Sequence, residues 1–188
     1  AAARLNADLA ARLGHKNWLK RQEALAETDA ILSTAPPGSL PGLSASFVAA
    51  LRDRTGDSNR NLAAMAFRAL AGLARALAPA GSAGPCRDVL PAVFSAGMAD
   101  SKRSVRSAAV DCVDAWVDAF GFPAVAAYLP AALATSNSPV RKEVLGWALP
   151  RVRDAVATAR AAAASAGGRP TRPFDVAGLS DAAFTCLT

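Results

Sequence analysis

"DSKRSVRSAAVDCVDAW" (Asp100–Trp116) decides how this 188-residue chain is read. A short polar stretch carrying Lys102 and Arg103 runs straight into an amphipathic helix. Val105, Ala109, Cys112, Trp116 and Phe120 are spaced by three and four, so they share one helix face. Three other segments have the same design: "HKNWLKRQEALAETDAIL" from His15, "DSNRNLAAMAFRALAGL" from Asp57 and "TSNSPVRKEVLGWAL" from Thr135. Their turns start about 42, 43 and 35 residues apart.

That spacing is close to the ~40–47-residue period of HEAT-type helical pairs. The other three helices carry their own stripes: Leu25, Thr28 and Leu32; Leu62, Ala66, Leu70, Leu73 and Leu77; and Val140, Val144, Ala148 and Val152. Shorter apolar helices are expected before the turns, over about 3–13, 43–54, 87–98 and 122–134. Asp57 or Ser58, Asp100 or Ser101, and Ser138 are the expected N-caps of the helices that follow. "APPGSLPG" and "APAGSAGP" separate successive pairs, as Pro/Gly-rich connections do. The expectation is an all-α chain, an α-solenoid of antiparallel HEAT-like helix pairs forming a flat paddle. It reads as a single domain with repeats at about 1–35, 39–79, 85–121 and 122–158. A linker is expected over 159–173, and 174–188 reads as the first helix of a fifth repeat cut short.

Composition agrees. Hydrophobic residues make up 52%, much of it alanine, and aromatics 6%. Alanine loses no side-chain entropy in a helix, and the Val/Ile/Thr alternation of strands is missing. Cys86, Cys112 and Cys186 are few, odd in number and widely spaced. They suggest neither a disulfide framework nor a metal site, and fit a reducing compartment; Cys112 lies on a core stripe as an inert thiol. The most apolar stretch, Ala119–Ala134, contains two prolines and is shorter than the ~18 residues of a spanning helix, so it reads as core. The N-terminal residues lack the long apolar region of a signal peptide.

The net charge is +6, which favours an acidic partner. Nucleic acid is disfavoured, because the basic residues are dispersed and the aromatics too few for base stacking. Catalysis is not expected: His15 is the only histidine and has no nucleophile nearby, and phosphate-loop, nucleophile-elbow and zincin motifs are absent. No cofactor or metal is expected. Asp111, Asp114 and Asp118 read as a solvated helix face, and Trp116 and Trp147 as packing residues. Trp18 stands in a turn, either as an exposed anchor or as a half-buried staple. Arg21, Arg106 and Arg141 recur in the first turn of their helices, where a cation opposes the helix dipole. For Arg21 and Arg106 the expected partner is a carboxylate or carbonyl of a neighbouring repeat; the role of Arg141 is left open.

These residues resemble a known family. "KNWLKRQEAL" resembles the first-repeat signature of TOG domains, "GDSNRNLA" their second turn, "DSKRSVRSAAVDCVDAW" their third repeat and "VRKEVLGWAL" their fourth. The combination is most similar to the fourth TOG domain of the multi-TOG microtubule polymerases. The resemblance implies non-catalytic binding of αβ-tubulin or a microtubule through the turn edge, within a longer chain that regulates microtubule growth. Trp18 would supply the apolar contact of the first turn, Ser58 and Asn59 the second-turn contact, and Lys102 with Arg103 the basic third turn. Arg141 or Lys142 would add a contact from the fourth. The implied setting is the cytoplasm and cytoskeleton: plus ends, centrosome, spindle or cilium. A scaffold or lattice-bound structural domain that does not bind free tubulin is the rival reading. Two departures stand out: His15 replaces an acidic residue, and Leu19-Lys20 reverses the usual polar–apolar order.

Overall fold

Each long helix in the computed structural model starts where one of the polar turns ends. The structure describes residues 2–40, 43–78, 84–135 and 137–165. Among them are nine α-helices and no strand: α1 (Ala7–Leu13), α2 (Trp18–Ser33), α3 (Ala45–Asp53), α4 (Arg60–Leu77), α5 (Gly84–Ala96), α6 (Arg103–Phe120), α7 (Phe122–Ala126), α8 (Leu129–Leu133) and α9 (Ser138–Ser165). The helices stack in two layers. In one, α1 packs on α3, α3 on α5, and α5 on α7 and α8; in the other, α2 packs on α4 and α4 on α6. The short helix α8 packs on α9, which also touches α5. This is the α-solenoid of HEAT-like pairs that the repeats predict.

The stripes form the core between the layers. Leu25, Leu32, Leu62, Ala66, Leu70, Leu73, Val105, Ala109, Cys112, Trp116, Val140, Val144 and Ala148 are all buried in a single continuous cluster, and Thr28 is buried as well. Leu77, Phe120 and Val152, at the ends of their stripes, are only partly covered. Fully burying one Leu or Phe is worth about 1.5–3 kcal/mol, so these stripes hold the stack together. Packing is tight where α5 leaves toward the third turn. A Cβ on Gly97 would lie 2.4 Å from the Ala109 Cβ and 2.5 Å from the Phe67 ring. Trp116 stacks on Phe120 with centroids 5.3 Å apart, and Trp147 meets Phe94 edge-on at 6.0 Å. Cys86 and Cys112 are buried free thiols; burial pushes Cys86 up to about 11 and Cys112 higher still. Both are mostly protonated and unreactive in the fold.

The structure corrects several expectations. The helix expected over 122–134 is broken at Ala127–Tyr128 into α7 and α8. Pro130 lacks the amide that would bond back one turn, and its ring crowds the preceding residues. Pro91 and Pro150 stay inside α5 and α9 at exposed positions. The helix α9 runs through Ser165, seven residues into the stretch expected to be a linker. The proposed helix at 174–188 and Cys186 lie outside the described residues. Asp114 is not on a merely solvated face: its Oδ1 accepts bonds from Trp147 Nε1 (2.9 Å) and Arg151 Nη2 (2.5 Å), tying α6 to α9. Arg151 also lies 4.5 Å over the Trp147 ring.

Candidate functional site at the turn edge

The turns share a register set by the recurring arginine. Arg21 Nη1 donates to the carbonyl oxygens of His15 (2.9 Å) and Lys16 (3.0 Å), six and five residues back. Arg106 Nη1 does the same to Asp100 (2.6 Å) and Ser101 (2.9 Å), and Arg141 Nη1 to Thr135 (2.8 Å). The repeated arginine is therefore a staple that closes its own turn. In the second repeat Ala63 takes its place, and Arg60 Nη1 reaches the Asp57 carbonyl instead (2.8 Å). This corrects the expectation for Arg106, whose bonds go to its own turn, and gives Arg141 a structural role.

A second set of bonds joins one turn to the next. Arg21 grips Asp57 with two bonds, Nε to Oδ2 at 2.7 Å and Nη2 to Oδ1 at 3.0 Å. The same carboxylate accepts Arg54 Nη1 (3.1 Å) and the Asn59 amide (2.9 Å). Its side chain is 0% exposed and that of Arg21 11%. Burial alone would raise the Asp57 pKa. The bonds from Arg21 and Asn59 and the charges of Arg21 and Arg54 outweigh burial, and hold it below the ordinary carboxylate value. One repeat on, Arg60 Nη2 pairs with Asp100 Oδ2, and Asp100 Oδ1 accepts the Lys102 amide at 2.8 Å. Lys102 Nζ crosses to Asn61 Oδ1 at 2.6 Å. Turns one, two and three are thus laced together. The fourth has Thr135 where the second and third have Asp57 and Asp100, and among the described residues no hydrogen bond or ion pair links it to the third.

Capping follows a different rule from the expected one. Asp57 and Asp100 are not caps; each bonds the amide two residues on while facing an arginine from the repeat before. The cap is the next register position but one: Asn17, Asn59 and Asn137 accept from Leu19 N (2.9 Å), Asn61 N (3.1 Å) and Val140 N (3.3 Å). In the third turn that place is held by Lys102, which makes no side-chain capping bond. Replacing a good cap costs about 1 kcal/mol, and a cation at a helix N-terminus adds to that. Lys102 instead reaches the neighbouring turn, where its Nζ donates to Asn61 Oδ1.

Of the expected site residues, Trp18 is 47% exposed. Ser58, Lys102, Arg103 and Lys142 are exposed. Asn59 is half-buried as the α4 cap, and Arg141 is half-buried as a staple. The lacing brings Trp18, Ser58, Asn59, Lys102 and Arg103 onto one continuous edge; Lys142 stands on the turn outside it. Leu19, 49% exposed beside Trp18, and Arg60 and Asn61, which place the third turn, were not among those residues. The reversed Leu19-Lys20 order was the signal for the first; the other two depend on contacts about 40 residues away. The long helices that start at this edge carry no acidic residue in their first turn. Their positive dipole ends and the nearby Lys and Arg side chains add, so the edge attracts carboxylates. Among the described residues no group of side chains could hold a metal, and no helix is long and apolar enough to cross a membrane. The arrangement is suited to binding: two exposed apolar side chains, a basic pair and a rigid backing.

Paired helices and stapled turns define a HEAT-like helical-repeat fold, and the registered sequence signatures resemble those of TOG domains. Protein MOR1 of Oryza sativa subsp. japonica is 28% identical over 151 residues, which are 78% of this chain and 7% of that protein. A solved chain from work on microtubule plus end tracking by XMAP215, CLIP-170 and EB1 shares the fold, with a TM-score of 0.64 and 24% identity. The match covers 80% of this chain and 61% of that one. No protein-family model matches the chain.

Proposed function

We propose that this domain binds αβ-tubulin without catalysis, through the turn edge, as one TOG domain of a longer microtubule-associated protein that regulates microtubule growth. The observation that carries the reading is the exposure of Trp18 and Leu19 on the same laced edge as Lys102 and Arg103. Aromatic anchors and basic side chains dominate many protein interfaces, and flanking cations speed encounter with an acidic surface. The solved neighbour comes from work on microtubule plus end tracking, which supports the same partner. Trp18 supplies the apolar contact, Lys102 and Arg103 meet carboxylates, and Ser58 and Asn59 line the edge between them. Lys142 extends it, while Arg141 acts by holding its turn. Linking several such domains, of which this one most resembles the fourth, raises the local concentration of tubulin at a growing end. The working place is then the cytoplasmic microtubule cytoskeleton, with plus ends foremost.

Size exclusion with soluble αβ-tubulin tests this, alongside a Trp18→Ala, Lys102→Ala double variant checked for folding by circular dichroism. The parent should co-elute with tubulin and the variant should not. A folded parent that fails to co-elute would replace the reading with that of a scaffold or lattice-bound domain.

A further inference from the structure

The four turns can be compared position by position, because each is registered on its staple arginine or, in the second repeat, on Ala63. The residue just before that position is Leu62, Val105 and Val140 in repeats two to four, and these are 1%, 0% and 3% exposed. In the first repeat the same place holds Lys20, an exposed side chain paired with Glu23 at 3.3 Å. One residue earlier stand Asn61, Ser104 and Pro139, none of them a large apolar side chain; the first repeat has Leu19. A chain that needed Leu19 for its core would have put it at the Lys20 position, where the other repeats bury theirs. A solvated turn accounts for Lys20 but not for a leucine left in water.

Leu19 is also held in place. Asn17 accepts its amide at 2.9 Å, and the Arg21 guanidinium fixes the carbonyls of His15 and Lys16 just before it. Among the described residues, Trp18, Leu19 and Leu149 are the large hydrophobics with exposed surface, so two of the three are neighbours on this one turn. Lys16 and Lys20 flank them.

Resting on the tubulin reading, we infer that Leu19 is a second apolar anchor that sets the specificity of the first turn. With Trp18 it forms a wedge for an apolar recess bordered by carboxylates, the border being met by Lys16 and Lys20. A pre-ordered side chain that is half in water loses little freedom on docking, so its remaining apolar surface is available to the partner.

The test is equilibrium binding to soluble αβ-tubulin at several salt concentrations, comparing the parent with Leu19→Ser, Leu19→Met and Lys102→Ala, with thermal unfolding of each. Leu19→Ser should weaken binding about five- to tenfold, as loss of an interface anchor does, with its salt dependence and unfolding midpoint unchanged. Leu19→Met should stay within about twofold of the parent, because it keeps the apolar volume. Lys102→Ala should weaken binding and flatten the salt dependence. If Lys102→Ala weakens binding while Leu19→Ser stays within twofold, the inference is overturned and the tubulin reading stands. If the folded parent does not bind, both fall.

Discussion

The first three turns and the fourth begin alike and end differently. Each has a staple that closes it from within. Only the first three are also tied sideways, by Arg21 to Asp57 and by Arg60 to Asp100. The difference comes down to one residue, Thr135 in the place of an aspartate. Closing a turn is a local matter that each repeat settles alone, whereas aligning turns needs a carboxylate in one repeat and a guanidinium in the previous one. Where the carboxylate is missing, the arginine in the matching place, Arg103, has no ion pair among the described residues. An unlaced turn thus leaves a cation free at the end of the laced edge.

Four experiments break or sharpen that contrast. Asp57→Ala should have the largest effect. It leaves Arg21 buried and unpaired, a change worth about 3 kcal/mol, read as a lower midpoint in urea unfolding. Gly97→Ala comes next, at about 1–3 kcal/mol of lost stability, because its Cβ would collide with Ala109 and Phe67 beneath the third turn. On the fourth repeat the same exchange should change sign: a Cβ on Gly146, inside α9, meets nothing within 4 Å, and Gly146→Ala should gain about 0.5–1 kcal/mol of helix stability. Thermal unfolding of the two glycine variants side by side reads both.

The third experiment uses acid. The folded pKa of Asp57 is held below its unfolded value. Its contribution is therefore complete above the unfolded value of about 3.9 and is lost as pH falls through the folded one. Unfolding midpoints measured from pH 5 downward should fall less steeply in Asp57→Asn than in the parent. Thr135→Asp should have the smallest effect. It offers Arg103 a partner and extends the lacing, adding at most about 1 kcal/mol of stability because the pair is exposed. In tubulin co-elution it should bind more weakly than the parent, since the freed cation is withdrawn.

Why some of this was legible in the sequence and some was not follows from the range of the interactions. The stripe Val105, Ala109, Cys112, Trp116 shows its face by spacing alone, and the structure buries all four. Trp116 lies on that stripe and Trp147 next to Ala148 of the fourth, and both pack as their positions require. Asp57 and Asp100 were misread as caps because an aspartate before a helix serves equally well as a cap or as a turn former. The choice is made by Arg21 and Arg60, some 40 residues upstream and invisible to a local reading. The break between α7 and α8 was carried by Pro130, yet Pro91 and Pro150 sit inside helices, so proline alone did not announce it. At the candidate site, Trp18 and Lys102 were readable as residues out of character for a turn, and the exposure of Leu19 only by comparison with the buried Leu62, Val105 and Val140.

The lacing has a mechanical consequence. Between the apolar tip at Trp18 and the basic pair at Lys102 there are two links in series, Arg21 to Asp57 and Arg60 to Asp100. Compliances in series add, so slackening either link loosens the whole span. Arg21, Asp57, Arg60 and Asp100 therefore set the spacing between the two ends of the edge.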